Sequence, residues 1–585
     1  MSRQSSQKIH EILLFGANEH TIMAVLAVGV GLAGGFGAVG FRHLINTIEG
    51  ICYGQGGNLL ELVKTMPWYV KILIPALGGL IVGPLTFFFA REAKGHGVPE
   101  VMEAVALRSG IIRKRIVLIK SLASAISIGT GGSVGREGPI VQIGSAIGSL
   151  IGQVLKISGD RIRTLVGCGA AAGIAATFNA PIAGSMFALE IILGDFGLAT
   201  FSPIVISSVT STAVSRHFLG DSPAFIVPAY ELISAWELPL YVILGIFCAF
   251  VAWTFTRTLY FAEDAFEKFR FPEYLKAALG GLTLGLLALI FPQILGVGYP
   301  AIDQALSLQL SWWFLFLLIL VKILATSITI GSGGSGGIFA PSLFLGAMAG
   351  GFFGSIVHTI FPHVTASPGA YSIVGMGAVV SGTTHGPLSA ILILFEMTGD
   401  YKIILPLMIA CIVGTLMSSQ LSLESIYTLK LIRRGVNIKA GKEINVLRSV
   451  LVKDVMNPDM ETIPESLTLG RLEEKISRSK NNSFPLVNDE GQLTGILSFF
   501  DYRDVVSDEN LKDLVVAKDL ATLAVVTVSS EDNLYDALQK ITLKDFAILP
   551  VVSQENKFEI LGVLSRSDMI SAYNQAIIKK SVLKK

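Results

Sequence analysis

Residues 120–152 read KSLASAISIGTGGSVGREGPIVQIGSAIGSLIG, and a shift of 202 places lays them over residues 322–354, KILATSITIGSGGSGGIFAPSLFLGAMAGGFFG. The lysine, the Ile-Gly-x-Gly-Gly-Ser core, the proline and the later glycines coincide. Two flanking pairs fall in the same order at nearly the same offset: GHGVPEVMEAV from Gly95 over GVGYPAIDQAL from Gly296, and PIAGSMFALE from Pro181 over PLSAILILFE from Pro387. Agreement in three places marks two related halves, about 21–218 and 235–425. The glycine-rich stretches are therefore paired structural elements, which weakens the plainer reading of each as a small-residue face for helix packing.

The 585 residues are 51% hydrophobic and only 15% charged. Soluble proteins carry about 25% charged residues, so most of this chain belongs in a bilayer. The mean hydropathy of +0.63 averages unlike parts, because apolar stretches fill the chain to about Gln420 and the remainder reads as an ordinary soluble domain. A formal charge of +1, with no long basic tract and no acidic tail, gives no nucleic-acid partner. Cys52, Cys168, Cys248 and Cys411 form no CxxC pair, and three sit in apolar runs, so neither a disulfide nor a metal site is implied.

Apolar segments lie near 21–47, 70–90, 116–128, 139–155, 164–193, 201–217, 239–262, 276–295, 312–330, 341–360, 370–397 and 403–419. Several are shorter than the roughly 20 residues of a spanning helix, and many are interrupted by Gly or Pro. Two related halves of broken helices meeting at mid-membrane are the pattern of transporter folds, parallel or inverted. Basic residues between Arg108 and Lys120 and between Lys430 and Lys442 place those flanks in the cytosol. The N-terminal segment, 1–20, lacks the cleavage pattern of a signal peptide and is expected to stay cytosolic.

An anion inside a bilayer needs fixed dipoles to replace its lost hydration. Backbone amides at helix N-termini supply them without a full positive charge, and glycine lets the backbone come close. GHGVP (95–99), GREGP (135–139) and GIFAP (337–341) each place glycine before a segment that turns apolar, with proline at the start of the next helix. Each motif alone is weak, but the three in order, repeated across two halves, fit an anion path. No nucleophile–base pair or metal cluster stands out in the membrane half, so an enzyme is not expected.

GREGP followed by IVQIG, NAPIAG at Asn179, GIFAP, and Tyr427 in SIYTLKL resemble the CLC chloride channels and antiporters over about residues 20 to 440. The resemblance implies an all-α polytopic membrane domain with an inverted repeat, and a homodimer with an anion pathway in each subunit. By motif, Glu137 resembles the gating glutamate whose carboxylate competes with the anion for its site. The backbone at Gly95, Gly135, Gly138 and Ala340, the amides of Ile338 and Phe339, and the Tyr427 hydroxyl would line the path, with Arg136 beside the gate. A carboxylate among anion-directed dipoles is a tethered copy of the substrate, released by protonation. The plainer role for Glu137, an ion pair with Arg136, is disfavoured because neighbours on a helix do not face each other. Lys120 and Lys322 occupy matching places and either tune the field in the path or snorkel to the surface.

Two positions depart from the family pattern. Where its first motif has a serine between the glycines, this chain has His96, which either donates to the anion through a ring N–H or turns away and leaves only its backbone there. Antiporters carry an inner glutamate directly after a first one, whereas here Glu190 is followed by Ile191, which cannot relay a proton. The expectation is a gated passive channel, with a proton-coupled antiporter as the alternative. Glu190 has a counterpart in Glu396, and a structural role is expected for both.

From about Leu451 the sequence repeats again, and the copies over 441–510 and 511–585 each suggest a helix-strand-strand-helix unit. They resemble a tandem CBS pair, an α+β module that dimerises and often binds adenosine nucleotides. Ser498 with Asp501 and Ser565 with Asp568 are the candidate ribose contacts, and the same spacing is an ordinary helix cap. With no Walker motif, nucleotide would regulate rather than be hydrolysed. No cofactor is expected to be required, apart from an adenine nucleotide (ATP, ADP or AMP) as an optional ligand. A nucleotide sensor using the membrane part only as an anchor is disfavoured, since an anchor needs no GREGP/GIFAP pair.

Overall fold

The computed structural model of the protein describes residues 19–54, 58–221 and 233–436, and in the tail residues 447, 450–479, 481–503, 505, 511–544, 547–554, 556 and 558–582. The chain forms two compact units, one ending at Arg434 and one beginning at Gly435. Residues 1–18 of the expected N-terminal segment lie outside the described residues.

The first unit is built of helices. In its first half they are α1 (Glu19–Tyr53), α2 (Leu59–Thr65), α3 (Trp68–Pro84), α4 (Val98–Leu107), α5 (Arg115–Gly129), α6 (Glu137–Val154), α7 (Gly159–Phe178), α8 (Pro181–Phe187) and α9 (Leu198–Leu219). The second half has α10 (Leu238–Lys268), α11 (Glu273–Ile290), α12 (Tyr299–Leu306), α13 (Trp312–Gly331), α14 (Phe339–Ile360), α15 (Pro368–Thr384), α16 (Pro387–Thr398), α17 (Ile404–Leu421) and α18 (Thr428–Arg433). Eight helical stretches among the described residues are long and apolar enough to cross a membrane.

Two apolar segments expected as single runs are each two helices. The run 164–193 breaks between α7 and α8, and 370–397 breaks between α15 and α16. The cause is the same in both halves: Asn179 (φ +61°) and His385 (φ +56°) take the left-handed conformation that ends a helix. A proline two residues later opens the next.

Equivalent helices pack in equivalent ways, α6 on α7 as α14 on α15, and α1 on α9 as α10 on α17. At the first pair Gly144 and Gly169 press backbone to backbone, and a Cβ on either would overlap the other's carbonyl oxygen. Gly346 and Gly375 repeat that contact in the second half. Small-residue packing thus accounts for the later glycines of each repeat, while the earlier ones make turns.

The second unit carries two three-stranded sheets. In the first, β1 (Ile463–Pro464) lies parallel to β2 (Ser483–Val487), and β2 is antiparallel to β3 (Leu493–Ser498). In the second, β4 (Val528–Ser529) pairs in parallel with β5 (Ile548–Val552), which pairs antiparallel with β6 (Ile560–Ser565). The register slips at Leu486/Val487 and at Val551/Val552, the same place in each copy. Helices α19 (Leu469–Arg478) and α20 (Phe499–Arg503) complete the first copy, and α22 (Leu534–Lys544) and α23 (Arg566–Val582) the second, with α21 (Ala517–Leu520) between. The two-residue strands β1 and β4 were not anticipated, being too short to show an alternating pattern.

The copies exchange their leading arms. Val452 is buried with Val528, Leu534 and Leu564 of the second copy, and Ala517 with Ile463, Leu472 and Leu497 of the first. Asn457 exchanges backbone hydrogen bonds with Val563 on β6, and Thr522 with Ile496 on β3. Each arm covers the sheet edge left open by the other copy.

Candidate anion pathway

Gly135 and Gly337 are the same position in the two halves, and they bond to each other. The N–H of Gly135 donates to the Gly337 carbonyl at 2.7 Å, and that of Gly337 to the Gly135 carbonyl at 2.6 Å. A position that pairs reciprocally and antiparallel with its own counterpart lies on a two-fold axis relating the halves. Directly after this bridge, α6 and α14 begin at Glu137 and Phe339, so the amides of two helix N-termini, which have no intrahelical acceptor, collect at one place. The turn before α4 joins them, with the Gly95 N–H on the Gly334 carbonyl at 3.1 Å and the Gly336 N–H on the Gly95 carbonyl at 3.3 Å.

Glu137 is only 1% exposed. Its Oε1 accepts from the Tyr299 hydroxyl at 2.9 Å and its Oε2 from the Ala340 N–H at 3.3 Å. The carboxylate rests against Gly135, where a side chain would displace it. Arg136 makes no ion pair with it among the described residues; its guanidinium lies 5.2 Å over the Tyr299 ring. Glu137 thus sits as an anion would, on the Ala340 amide in the first turn of α14.

His96 lies between Gly95 (φ +80°) and Gly97 (φ +86°), a conformation that favours glycine at both places. Its ring is fully buried, and neither nitrogen has a hydrogen-bond partner among the described residues. The ring centroid is 5.8 Å from that of Tyr427, at 44°. Its carbonyl packs so closely on Gly138 that a Cβ there would overlap it. Ile338, Phe339 and Ala340 are buried as well, with Phe339 packed 5.6 Å from the Phe178 ring. The structure therefore brings together Gly95, His96, Gly135, Glu137, Gly138, Ala340 and Tyr427.

Lys120 and Lys322 do not snorkel, since both are fully buried. Lys120 Nζ donates to the carbonyls of Ala93 (3.0 Å) and Gly95 (2.8 Å), and Lys322 Nζ to those of Ile294 (2.9 Å) and Gly296 (3.3 Å). Each ammonium takes the carbonyls of its turn. Glu190 and Glu396 have the structural role expected of them, as helix caps, and Ile191 is buried beside Glu190.

Sequence reasoning missed Tyr299. Its motif, GVGYP, was laid under GHGVP, which located the turn; the hydroxyl has no counterpart in Val98 and so no signal in the repeat. Lys430 was missed too: its Nζ lies 2.7 Å from where a Cβ of Gly95 would stand, and 3.9 Å and 3.8 Å from carboxylates of Glu100 and Glu263.

In the second unit the four candidate ribose contacts are helix caps. The Ser498 N–H donates to Asp501 Oδ2 at 3.1 Å while Ser498 Oγ accepts from the Phe500 N–H at 3.1 Å. The Ser565 N–H and Oγ donate to Asp568 Oδ2 at 3.0 Å and 2.6 Å, and the Asp568 N–H returns to Ser565 Oγ at 3.2 Å. Both pairs are engaged in starting α20 and α23.

The family described as "Voltage gated chloride channel" matches residues 78–419, and the CBS domain family matches 452–508 and 517–575. A ClcB-like protein of Ralstonia nicotianae is 36% identical over 415 residues, covering 70% of this chain and 97% of its own. An "H(+)/Cl(-) exchange transporter ClcA" of Vibrio parahaemolyticus is 32% identical over 447 residues, covering 74% and 94%. A slow cyanobacterial Cl-/H+ antiporter of known structure superposes with a TM-score of 0.65 at 30% identity, over 72% of this chain and 99% of that one. With two related halves meeting at Gly135 and Gly337 around a buried glutamate, and a CBS pair behind them, the chain belongs to the CLC family of anion-transporting membrane proteins.

Proposed function

We propose that the protein exchanges chloride or a similar small anion for protons, with Glu137 as the gate that carries the proton. One observation bears most of this reading: the Glu137 carboxylate is buried, makes no ion pair among the described residues, and is held by the amide and hydroxyl donors that an anion would use. Protonation removes the charge those donors hold, the side chain leaves, and an anion takes the seat. When that anion moves on, the carboxyl group returns to the donors and gives up its proton as it regains them. Gly95, His96, Gly135, Arg136, Gly138, Ile338, Phe339, Ala340 and Tyr427 line the path in this reading. Exchange rather than passive flow is supported by relatives that carry the exchanger name and by the antiporter at 30% identity.

Ile191 favours a second reading, a passive channel gated by Glu137, because an isoleucine takes no proton. Exchange in this chain requires a proton route that bypasses it. Both readings place a homodimer in the bilayer, with the N-terminus and the CBS pair on the cytosolic side. An adenine nucleotide at the CBS pair is carried as a regulatory ligand on the strength of the module alone.

The test is anion efflux from liposomes holding the purified protein, recorded with chloride and pH electrodes under an imposed proton gradient, with Glu137→Gln as control. Chloride-driven proton movement against its gradient, absent in the control, is expected. Chloride efflux with no coupled proton flux returns the reading to the channel.

A further inference from the structure

We propose a second anion-binding site, for a small inorganic monoanion such as the transported one, in the cavity lined by Arg42 and Arg136 beside the gate. It rests on the reading of Glu137 as the gate of an anion path.

The internal two-fold points to it. GHGVP and GVGYP are equivalent turns with the same backbone, Gly95 and Gly97 at φ +80° and +86°, and Gly296 and Gly298 at +61° and +90°. Each opens a helix, α4 or α12, and each has two carbonyls taken by a buried lysine ammonium. The first turn presents His96 to Tyr427. The second lines a separate cavity of about 230 Å³ that touches neither of those residues. A turn whose carbonyls are already bonded and whose helix begins at that point offers amides to an anion.

Charge in the cavity agrees. Arg42 and Arg136 both line it, and neither has a carboxylate within 4 Å among the described residues. Arginine in an apolar segment is costly unless it is used or reaches the surface. Arg42 lies about 35 Å along α1 from its start, so reaching the interface would suffice for it alone. Arg136 is different: its Nε is buried with no hydrogen-bond partner among the described residues, and its guanidinium lies over the Tyr299 ring. Gln293 adds a buried amide oxygen without a partner among the described residues, and the amide turned over offers a donor instead. Glu49 is the one carboxylate in the lining, seven residues and roughly 10 Å along α1 from Arg42. An anion at the arginine end is therefore attracted by two cations, against Glu49 farther along α1 and the Glu137 carboxylate beyond Tyr299.

Position gives the site its use. Tyr299 lines the cavity and donates its hydroxyl to Glu137, so a bound anion waits one residue away from the gate. Capture there raises the local anion concentration at the moment the carboxyl group leaves.

The experiment uses bromide on the full-length protein. Anomalous diffraction from crystals grown in bromide is expected to place an ion between Arg42 and Arg136, and to lose it in Arg42→Gln. In liposomes at low ionic strength, Arg42→Gln is expected to raise the apparent KM for bromide added on the cavity side by roughly three- to tenfold. The rate at saturating bromide should hold within about twofold, and Arg42→Lys should recover most of the KM. A wild-type cavity without bromide density, or an unchanged KM in Arg42→Gln, overturns the proposal. Bromide in the cavity of a protein that carries no anion flux would overturn instead the transport reading on which it rests.

Discussion

Glu190 and Glu396 cap each other's helices. Glu190 accepts the N–H groups of Leu388 (3.1 Å) and Ser389 (2.7 Å) at the start of α16, and Glu396 those of Ile182 (3.0 Å) and Ala183 (2.7 Å) at the start of α8. The four amides are the same two positions of the repeat, and so are the carboxylates. A carboxylate on free first-turn amides is favoured by both hydrogen bonding and the helix dipole. This leaves Glu190 no need of a proton role. Glu190→Gln and Glu396→Gln should each lower stability by about 1–2 kcal/mol, in similar amounts, by thermal unfolding in detergent. Proton coupling should survive both. Loss of coupling in Glu190→Gln with unaltered stability would return that residue to the proton path.

Tyr299 is the only side chain among the described residues that hydrogen-bonds the Glu137 carboxylate, at 2.9 Å. Hydrogen bonds to charged groups contribute about 1.5–3 kcal/mol, so Tyr299→Phe frees the gate from a large part of its hold. Anion flux at fixed pH should rise, by roughly tenfold for each 1.4 kcal/mol lost. In a Glu137→Gln background the same substitution should change little, because the charge it acts on is gone. An equal effect in both backgrounds would assign Tyr299 to general packing.

His96 tests selectivity. A fully buried imidazole with both nitrogens unpartnered is costly unless something else bonds it, and an anion beside Tyr427 would. His96→Ser keeps a donor and should hold chloride affinity within about threefold, whereas His96→Phe should weaken it by about tenfold. Titration calorimetry with chloride measures both. Equal affinity in the two variants would mean that only the backbone at 96 faces the ion.

The halves, the three glycine motifs and the site's centre were legible because each rests on residues that recur at a fixed spacing: Gly135 over Gly337, Lys120 over Lys322, Pro181 over Pro387. What recurrence could not carry was side-chain chemistry unique to one half. Tyr299 lies opposite Val98, so the repeat located its turn and hid its hydroxyl. The breaks at Asn179 and His385 were blurred because two non-glycine residues take the left-handed conformation inside otherwise apolar runs. The sequence signal for each stop is the proline two residues later, Pro181 and Pro387, rather than any loss of length in the apolar run. In the tail, the exchange of Val452 and Ala517 between copies is a matter of long-range pairing that no local pattern records.

For the CBS pair, the caps at Asp501 and Asp568 separate two explanations of one spacing. Asp501→Ala and Asp568→Ala should each cost about 1 kcal/mol of the tail's stability through the lost caps. If either carboxylate also held a ribose, its alanine variant would lose the stabilisation that ATP gives the wild-type protein in a thermal melt. The capping geometry predicts that any ATP-dependent shift survives Asp501→Ala, whose carboxylate is bonded to the Ser498 N–H.

The buried lysines should fail in different ways despite their matching geometry. Each ammonium takes two carbonyls of its turn; replacement of Lys322 by methionine leaves those of Ile294 and Gly296 unsatisfied, at about 1–3 kcal/mol each, whereas the Lys120 acceptors keep donors in the Ser335 hydroxyl on Ala93 and the Gly336 N–H on Gly95. Lys120→Met loosens the turn that carries His96, and chloride affinity should fall with stability. Lys322→Met loosens the turn that carries Tyr299, so the hold on Glu137 weakens and flux should rise while chloride affinity at His96 is kept. Calorimetry and liposome flux on the two variants measure this difference. Were the lysines acting only through their charge on the path, both substitutions would weaken chloride binding and neither would raise flux. Opposite changes in flux would show that the two halves, built alike, serve the ion on one side and the gate on the other.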